Sequence, residues 1–470
     1  MLFKKKILKK IFKNLFFISK KFNFQIYIIG GYVRNLLLNK STKDIDIVTT
    51  GDSIKLAKIF FKLIKAKQIF FFKRYKTAIV KYKKYQIEFV STRKEFYNIY
   101  NNKPYIKLLK NIKEDQKRRD FTINTIAINL SYKKIGEIID PFNGINDIKN
   151  KIIKTPIDPD KIFFDDPLRM LRAIRFHTIF NFKIDKKIIY SILNNINRIR
   201  IIAIERIILE FNKILMANKP SQGLILMDKL GFLSIILPEF VELKKKINNT
   251  KNCFKHTLKV LDKICKFNKN LWFRWATLLH DIGKPISKKF YKNKGWTFYN
   301  HEIIGSNMIP YIFYKLKLPI KKNLKYIQTI IKYSNMPIIL INKNIKIKTI
   351  RKFINKVGIK IIKDIILLSL YDITTKFKKK KYKQQKKIIK LYNTIIKIEN
   401  EDKIYNIKLS INGHDIINYF KIKPSKIVGI IKNKIKYKII KGELKNKLND
   451  IFKYMKKIGY KIIKKYNYEY

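Results

Sequence analysis

One stretch of the chain has residue types and spacing suited to phosphate chemistry: Ile26–Thr50, IYIIGGYVRNLLLNKSTKDIDIVTT. The apolar run Ile26–Ile29 predicts a buried strand. It closes on Gly30-Gly31, where missing side chains let backbone N–H groups approach a ligand. A helix predicted over Tyr32–Leu38 carries Arg34 in its first turn, so an anion at Gly31 would meet a helix N-terminus and a guanidinium together. The next predicted strand carries Asp44 and Asp46 on either side of Ile45. Strand alternation puts both carboxylates on one face and the isoleucine in the core. Two carboxylates on one edge can hold a pair of Mg²⁺ ions, which bridge triphosphate oxygens and activate an attacking hydroxyl. This order of parts predicts a nucleotidyl-transfer site of the polymerase kind.

Such a site needs a third anionic ligand on a neighbouring strand, and Glu88 in YQIEFVST answers that need. Arg93 follows closely enough to meet a phosphate. Further on, Arg118-Arg119-Asp120 and Asn124 suit a nucleoside triphosphate, since guanidinium forks fit phosphate and a carboxylate accepts from a ribose hydroxyl. Asp140-Pro141-Phe142 and Gly144–Asp147 offer no reactive group and are assigned to positioning. In Asp165–Phe176, DDPLRMLRAIRF, Asp166 is placed to cap a helix, with Arg169 one turn on and on the same face. An Asp–Arg pair sets donors and acceptors in one plane and so can imitate a base-pairing edge. Taken alone, that motif reads first as a capped helix with a surface ion pair; after the preceding blocks it does not.

Together these blocks resemble the family of CCA-adding tRNA nucleotidyltransferases and bacterial poly(A) polymerases. The resemblance implies that Asp44, Asp46 and Glu88 hold Mg²⁺. It also implies that Gly30, Gly31, Arg34, Arg119, Asp120, Asn124 and Arg172 bind the nucleotide, and that Asp166 and Arg169 select CTP and then ATP. Four positions depart from the family pattern: Asn35 stands for Asp, Thr125 for Ala, Asp165 for Glu and Ser334 for His. The amide of Asn35 can still hydrogen-bond a neighbouring backbone or arginine. Glu205-Arg206, Glu210, Gly231–Glu239 and Ile411–Asp415 (INGHD) extend the likeness, so it runs from about residue 22 to beyond 450.

A second cluster lies further along the chain. His256 opens a helical run, Leu278–Pro285 reads LLHDIGKP, and His301 and Asp372 come later. Imidazoles and carboxylates in this number suit a divalent metal held between helices. The set His256, His280, Asp281, His301 and Asp372 resembles that of the HD phosphohydrolase domain joined to one branch of the same family, and implies a second divalent metal. Ser334 in IKYSNMP leaves hydrolysis there weak or absent.

Around these residues, strands and helices alternate from about 22 to 155, with Ala78–Lys81 and Gln86–Ser91 pairing across Lys83-Lys84. Helical spacing takes over in Leu168–Phe176, Ile201–Leu215 and Leu224–Phe232. The expected fold is an α/β nucleotidyltransferase head, with a small mixed sheet, followed by an all-helical neck, an HD-like body and a tail. The expected boundaries are 1–21 for a basic N-terminal helix, 22–155 for the head, 156–242 for the neck, 243–380 for the HD-like body and 381–470 for a basic RNA-binding tail. The leading helix is amphipathic and expected to pack on the head. At 470 residues the chain can bury several cores. Its 106 Lys and Arg against 33 Asp and Glu give +73, which favours a polyanionic partner. The surplus of Ile, Asn, Phe and Tyr marks A/T-rich codons, so charge supports the reading without deciding it. Cys253 and Cys265 are too few for a zinc cluster or disulfide framework and read as reduced thiols. No run reaches membrane-spanning length, and the expected compartment is the cytoplasm.

The leading expectation is template-independent addition of CCA to the 3′ end of tRNA from CTP and ATP. The acceptor arm is then the RNA partner, and neither a membrane nor an obligate protein partner is called for. A poly(A) polymerase and a partial CC- or A-adding enzyme stay open in the same class. Arg93–Asp115 is long enough for the mobile loop a CTP-to-ATP switch requires. An HD-type metal-dependent phosphohydrolase and a non-catalytic RNA-binding protein stay open in other classes.

Overall fold

Lysines interrupt the apolar residues of the N-terminal segment, which in the computed structural model is a helix, α1 (Lys6–Phe22). Ile11, Phe12, Leu15 and Ile18 on its apolar side are buried, each worth about 2 kcal/mol relative to exposure. Phe12 meets Tyr32 edge-on at 5.8 Å, so this side packs on the head and is not offered to a lipid surface. The structure describes residues 6–98, 101–244, 252–293, 295–342, 347–373, 377–405, 409–440 and 443–465. Among them no helix is long and apolar enough to cross a membrane. The chain divides into two compact units, Met1–Ile331 and Lys332–Tyr470.

The first unit begins with a seven-stranded mixed sheet. Its elements are β1 (Ile26–Ile29), α2 (Gly31–Leu37), β2 (Asp44–Thr49), α3 (Ser53–Ile64), β3 (Gln68–Phe72), β4 (Thr77–Tyr82) and β5 (Tyr85–Ser91). After the ribbon β6 (Arg93–Asn98) and β7 (Asn101–Leu108) come α4 (Ile112–Lys117), β8 (Ala127–Asn129), β9 (Ile138–Ile139) and α5 (Gly144–Lys149). The sheet order is β3-β4-β5-β2-β1-β8-β9. β1 lies antiparallel to β2 and β8, whereas β2 and β5 run parallel. A parallel pair needs a crossover, and α3 with β3 and β4 supplies it. Asp52 starts α3 by accepting from the Ile54 and Lys55 amides, and Lys65 ends it in a left-handed conformation. The Lys83-Lys84 turn joins β4 to β5 as their alternation predicts, with Tyr82 opposite Tyr85. Within the stretch Arg93–Asp115, β6 and β7 pair antiparallel.

Helices then dominate, as the spacing predicts. A two-residue parallel bridge, β10 (Ile152–Ile153) with β11 (Lys183–Ile184), ties the head to the helices after it. Here lie α6 (Pro159–Asp165), α7 (Leu168–Phe180), α8 (Lys186–Asn195) and α9 (Ile204–Leu215). Asp158 and Asp185 cap α6 and α8 through their side chains. Farther along the same unit run the helices Cys253–Cys265, Leu271–Leu279 and His301–Lys315. Cys253 and Cys265 are buried and unbridged.

The second unit is helical throughout its described residues, from Met336–Asn342 to Leu448–Lys465. Its core gathers Ile416, Phe420, Ile431, Ile435, Ile451 and Met455. The INGHD motif is a helix start: Asn412 accepts from the Asp415 amide, and Asp415 accepts in return from that of Asn412. A methyl at Gly459 would strike the Phe420 ring at 2.0 Å, so glycine lets these helices cross.

Candidate active site and metal centre

Gly30 turns the chain from β1 into α2 with φ 77° and ψ −137°, a conformation left to glycine. A methyl there would come within 2.9 Å of Asp46 Oδ2 and 3.2 Å of Arg119 Nη1. The turn therefore holds the carboxylate and the guanidinium against backbone, and the Gly31 amide donates to Asp46. On β2, Ile45 and Ile47 are buried while Asp44 is exposed and Asp46 half-buried. Parallel pairing sets Asp46 directly beside Glu88 and Asp44 beside Gln86. Burial, and after it the mutual repulsion of the carboxylates, pushes the Glu88 pKa up; burial does the same for Asp46 against the pull of Arg119. Crowded, desolvated oxygen donors of this kind suit a hard divalent cation. The three carboxylates fit that role.

Opposite them lies a wall of arginines. Arg34 donates to Asn124 at 2.5 Å and to Asn35 at 2.9 and 3.2 Å. The amide standing for the family's aspartate thus grips the guanidinium from next door. Phe176 and Phe180, stacked at 5.8 Å, flank Arg34 at 4.9 and 4.8 Å. Burial lowers the Arg34 pKa to about 10, and the group stays cationic at neutral pH. Asp120 accepts from Asn124 at 2.9 Å and pairs with Arg172 at 2.6 Å. Burial works to raise the Asp120 pKa, and Arg172 overcomes it and holds the carboxylate ionised. Asp115, wholly buried, anchors Arg118 at 2.7 Å and Arg119 at 3.2 Å. Asp140 accepts from the Gly144 and Ile145 amides, and Asp147 from the Thr122 hydroxyl, which fixes the loops behind the block.

These groups border one cleft of about 500 Å³, lined among others by Gly30, Gly31, Arg34, Asp44, Asp46, Glu88, Arg119, Asp120, Asn124 and Arg172. Among the lining residues that sequence reasoning did not assign are Arg175, Phe176 and Lys213. Buried Glu210 joins two of them, at 2.9 Å to Arg175 and 3.0 Å to Lys213. Helical spacing from Arg172 was the available signal for Arg175. The Arg93 guanidinium donates to the Tyr75 carbonyl at 2.6 Å and to Thr77, bracing the β3–β4 connection, and its charge also pulls on the Glu88 carboxylate. Asp166 does accept from the Leu168 amide at the start of α7, but its ion partner is Arg206 at 3.0 Å and not Arg169. Buried Arg169 donates to the Ile162 carbonyl at 3.4 Å.

A second polar cluster sits between helices of the same unit. His256, His280 and Asp281 each bring a ligand atom within 4.8 Å of the others. The Thr277 carbonyl takes His280 Nδ1 at 2.8 Å, and the Phe298 carbonyl takes His301 Nδ1 at 2.8 Å. A carbonyl only accepts, so both rings carry a proton on Nδ1, which turns Nε2 toward the neighbouring carboxylate. Those Nε2 atoms lie 3.4 and 3.7 Å from Asp281 Oδ1, while Lys284 holds Asp281 Oδ2 at 2.6 Å. A methyl at Gly283 would strike the His301 carbonyl at 2.2 Å, so glycine lets the His280–Gly283 turn reach the helix that His301 begins. In the second unit, Asp372 ends the helix Ile359–Asp372, and the buried Ser334 accepts through its carbonyl from Ser369. The resemblance, and not the geometry of the first unit, assigns Asp372 to this set.

A glycine turn facing clustered carboxylates beside an arginine wall, followed by histidines aimed at a buried aspartate, defines the class: a nucleotidyltransferase-type head joined to an HD-type helical body. The comparisons agree in chain order. Residues 26–154 match the poly A polymerase head domain, 181–243 the probable RNA and SrmB-binding site of polymerase A, and 253–398 the HD domain. A CCA-adding enzyme of Lactobacillus helveticus is 38% identical over 191 residues, covering 40% of this chain and 46% of the relative. One from Anoxybacillus flavithermus is 30% identical over 285 residues, covering 60% and 66%. The matched region spans about half the length of the first of these relatives. Among solved structures, the Thermotoga maritima CCA-adding enzyme complexed with tRNA_CCA shares the fold at TM-score 0.56 and 20% identity, covering 97% of each chain. A tRNA nucleotidyltransferase complexed with a primer tRNA and an ATP analogue does so at 0.56 and 21%, covering 82% of this chain and 99% of that one. The chain belongs to the family of CCA-adding tRNA nucleotidyltransferases and bacterial poly(A) polymerases, in the branch that carries an HD domain. That family depends on divalent metal.

Proposed function

We propose that this chain adds CCA to the 3′ end of tRNA from CTP and ATP, releasing pyrophosphate at each step. The observation that carries the reading is the register of β2 and β5, which sets Glu88 beside Asp46 on the edge facing the Gly30–Gly31 turn. The naming of the relatives favours CCA addition over poly(A) synthesis. Arg34 holds the triphosphate against the Gly30–Gly31 turn, Arg119, Arg172, Arg175 and Lys213 balance its charge, and Asp120 with Asn124 orients the ribose. Asp166 and Arg169 read the base edge, with Arg206 steadying the Asp166 carboxylate. Mg²⁺ held by Asp44, Asp46 and Glu88 would supply charge neutralisation at the α-phosphate and acidify the incoming 3′ hydroxyl.

RNA enters through its acceptor arm, recognised by shape and backbone along the neck and the basic tail. Residues 22–155 act as the catalytic head, 156–242 as the neck, 243–380 as the HD-like body and 381–470 as the tail, in a cytoplasmic setting. Incubating tRNA that lacks CCA with CTP, ATP or both, and sizing the products, tests the reading. Addition of two C and one A supports it. Long A-tails select a poly(A) polymerase, and arrest after two C despite ATP selects a partial enzyme. Asp44→Ala should abolish addition while leaving tRNA binding nearly intact. Unchanged incorporation in that variant would sink the assignment of the carboxylates.

A further inference from the structure

A small aromatic surface lies outside the nucleotide cleft, just ahead of His301. β12 (Lys289–Tyr291) and β13 (Gly295–Thr297) pair antiparallel, with Phe290 opposite Trp296. The two rings meet edge to face at 5.2 Å, yet stay 60% and 39% exposed. Tyr291 and Tyr299 make a second pair at 6.1 Å and are 44% and 57% exposed. Lys288 Nζ lies 4.2 Å from the Trp296 ring centre, and Lys289 and Lys292 are exposed among the rings. Codon bias accounts for surface lysine, tyrosine and phenylalanine in this chain but not for tryptophan, whose single codon is G-rich. The chain has three tryptophans, of which Trp275 is wholly buried and Trp272 partly so. Trp296 is the most exposed of the three.

Clustered rings in water mark a contact surface, and the charges around them choose the partner. At a net charge of +73 a second copy of this chain is repelled. Flat π-faces interleaved with ammonium groups are the combination that takes unpaired bases between phosphates. We propose that the paired strands β12 and β13 are a stacking platform for unpaired bases of single-stranded RNA, with Lys288, Lys289 and Lys292 meeting the flanking phosphates. The platform adjoins the histidine cluster through the Phe298 carbonyl that orients His301. RNA as the polymer rests on the proposed function; stacking by these strands does not require nucleotidyl transfer.

Trp296 provides its own signal. The full chain is titrated with a single-stranded oligouridylate and with an RNA duplex of equal length, and tryptophan emission is followed. The single strand should quench an exposed fraction of the emission, more weakly as salt rises, and the duplex should not. Trp296→Phe should abolish the quench while keeping affinity in an anisotropy assay. Phe290→Ala and Trp296→Ala should each weaken single-strand binding about tenfold, with unchanged thermal melting because the rings are exposed. The quench and single-strand affinity should persist in Asp44→Ala, which loses nucleotide addition, so failure of the platform and failure of the catalytic reading are told apart. Absence of quenching, equal quenching by duplex, or wild-type affinity in both alanine variants would overturn the proposal. Binding to anionic vesicles that needs the rings, without single-strand binding, would overturn it in favour of a lipid surface.

Discussion

Replacing Gly30 by alanine tests whether the glycine turn places the carboxylate on which nucleotidyl transfer depends. The new methyl would sit 2.9 Å from Asp46 Oδ2, against about 3.5 Å for an unstrained contact, so the carboxylate must shift by roughly 0.5 Å. A misplacement of about 1 Å in an oriented site costs on the order of a hundredfold in rate, so the shift alone should lower kcat about tenfold. Backbone strain adds roughly 1–3 kcal/mol, because φ 77° with ψ −137° is a glycine conformation. Gly136→Ala separates the two effects: Gly136 also has positive φ, at 87°, but nothing lies within 4 Å of its added methyl. Steady-state CMP incorporation into tRNA lacking CCA, with thermal melts of both variants, supplies the readout. The expectation is a lower melting temperature in both and a lower kcat in Gly30→Ala alone. Wild-type kcat in Gly30→Ala would refute the placement of Asp46 by the turn. An equal kcat loss in both would assign the effect to strain.

Removing either side of the base-reading edge, by Asp166→Ala or Arg169→Ala, should relax preference for CTP and ATP over UTP and GTP by about 1–3 kcal/mol; wild-type selectivity in both would refute that role. Asp115→Asn should flatten the acid limb of the stability curve. Burial works to raise this carboxyl's pKa, but Arg118 and Arg119 hold it below the ordinary value. Its ionisation therefore contributes stability above about pH 4, and that contribution is lost as pH falls through the lowered folded value. An unchanged slope in acid denaturation would contradict this. In the whole 470-residue chain silenced by Asp44→Ala, Mn²⁺ or Ni²⁺ should bind the histidine cluster, with weak phosphoester turnover at most, and His280→Ala should abolish that binding. Robust metal-dependent turnover would show that Ser334 does not limit the site.

Local pattern was enough for whatever depends on a residue and its near neighbours. Strand alternation alone put Asp44 and Asp46 on one face, Gly30-Gly31 announced a close backbone approach, and helical spacing made Arg172 and Arg175 neighbours. Adjacency likewise let Asn35 reach Arg34 and put His280 beside Asp281. Partnerships across the chain were decided by the tertiary structure, because a side chain takes whichever partner packing brings within reach and local period carries no record of it. Parallel pairing of β2 with β5 chose Glu88 as the neighbour of Asp46. Packing gave Asp166 to Arg206 when helical spacing offered Arg169. The Phe298 carbonyl turned His301 toward Asp281, and Glu210 drew Arg175 and Lys213 to the cleft. Residue type told which groups could do chemistry; the register of strands and the crossing of helices settled which of them meet.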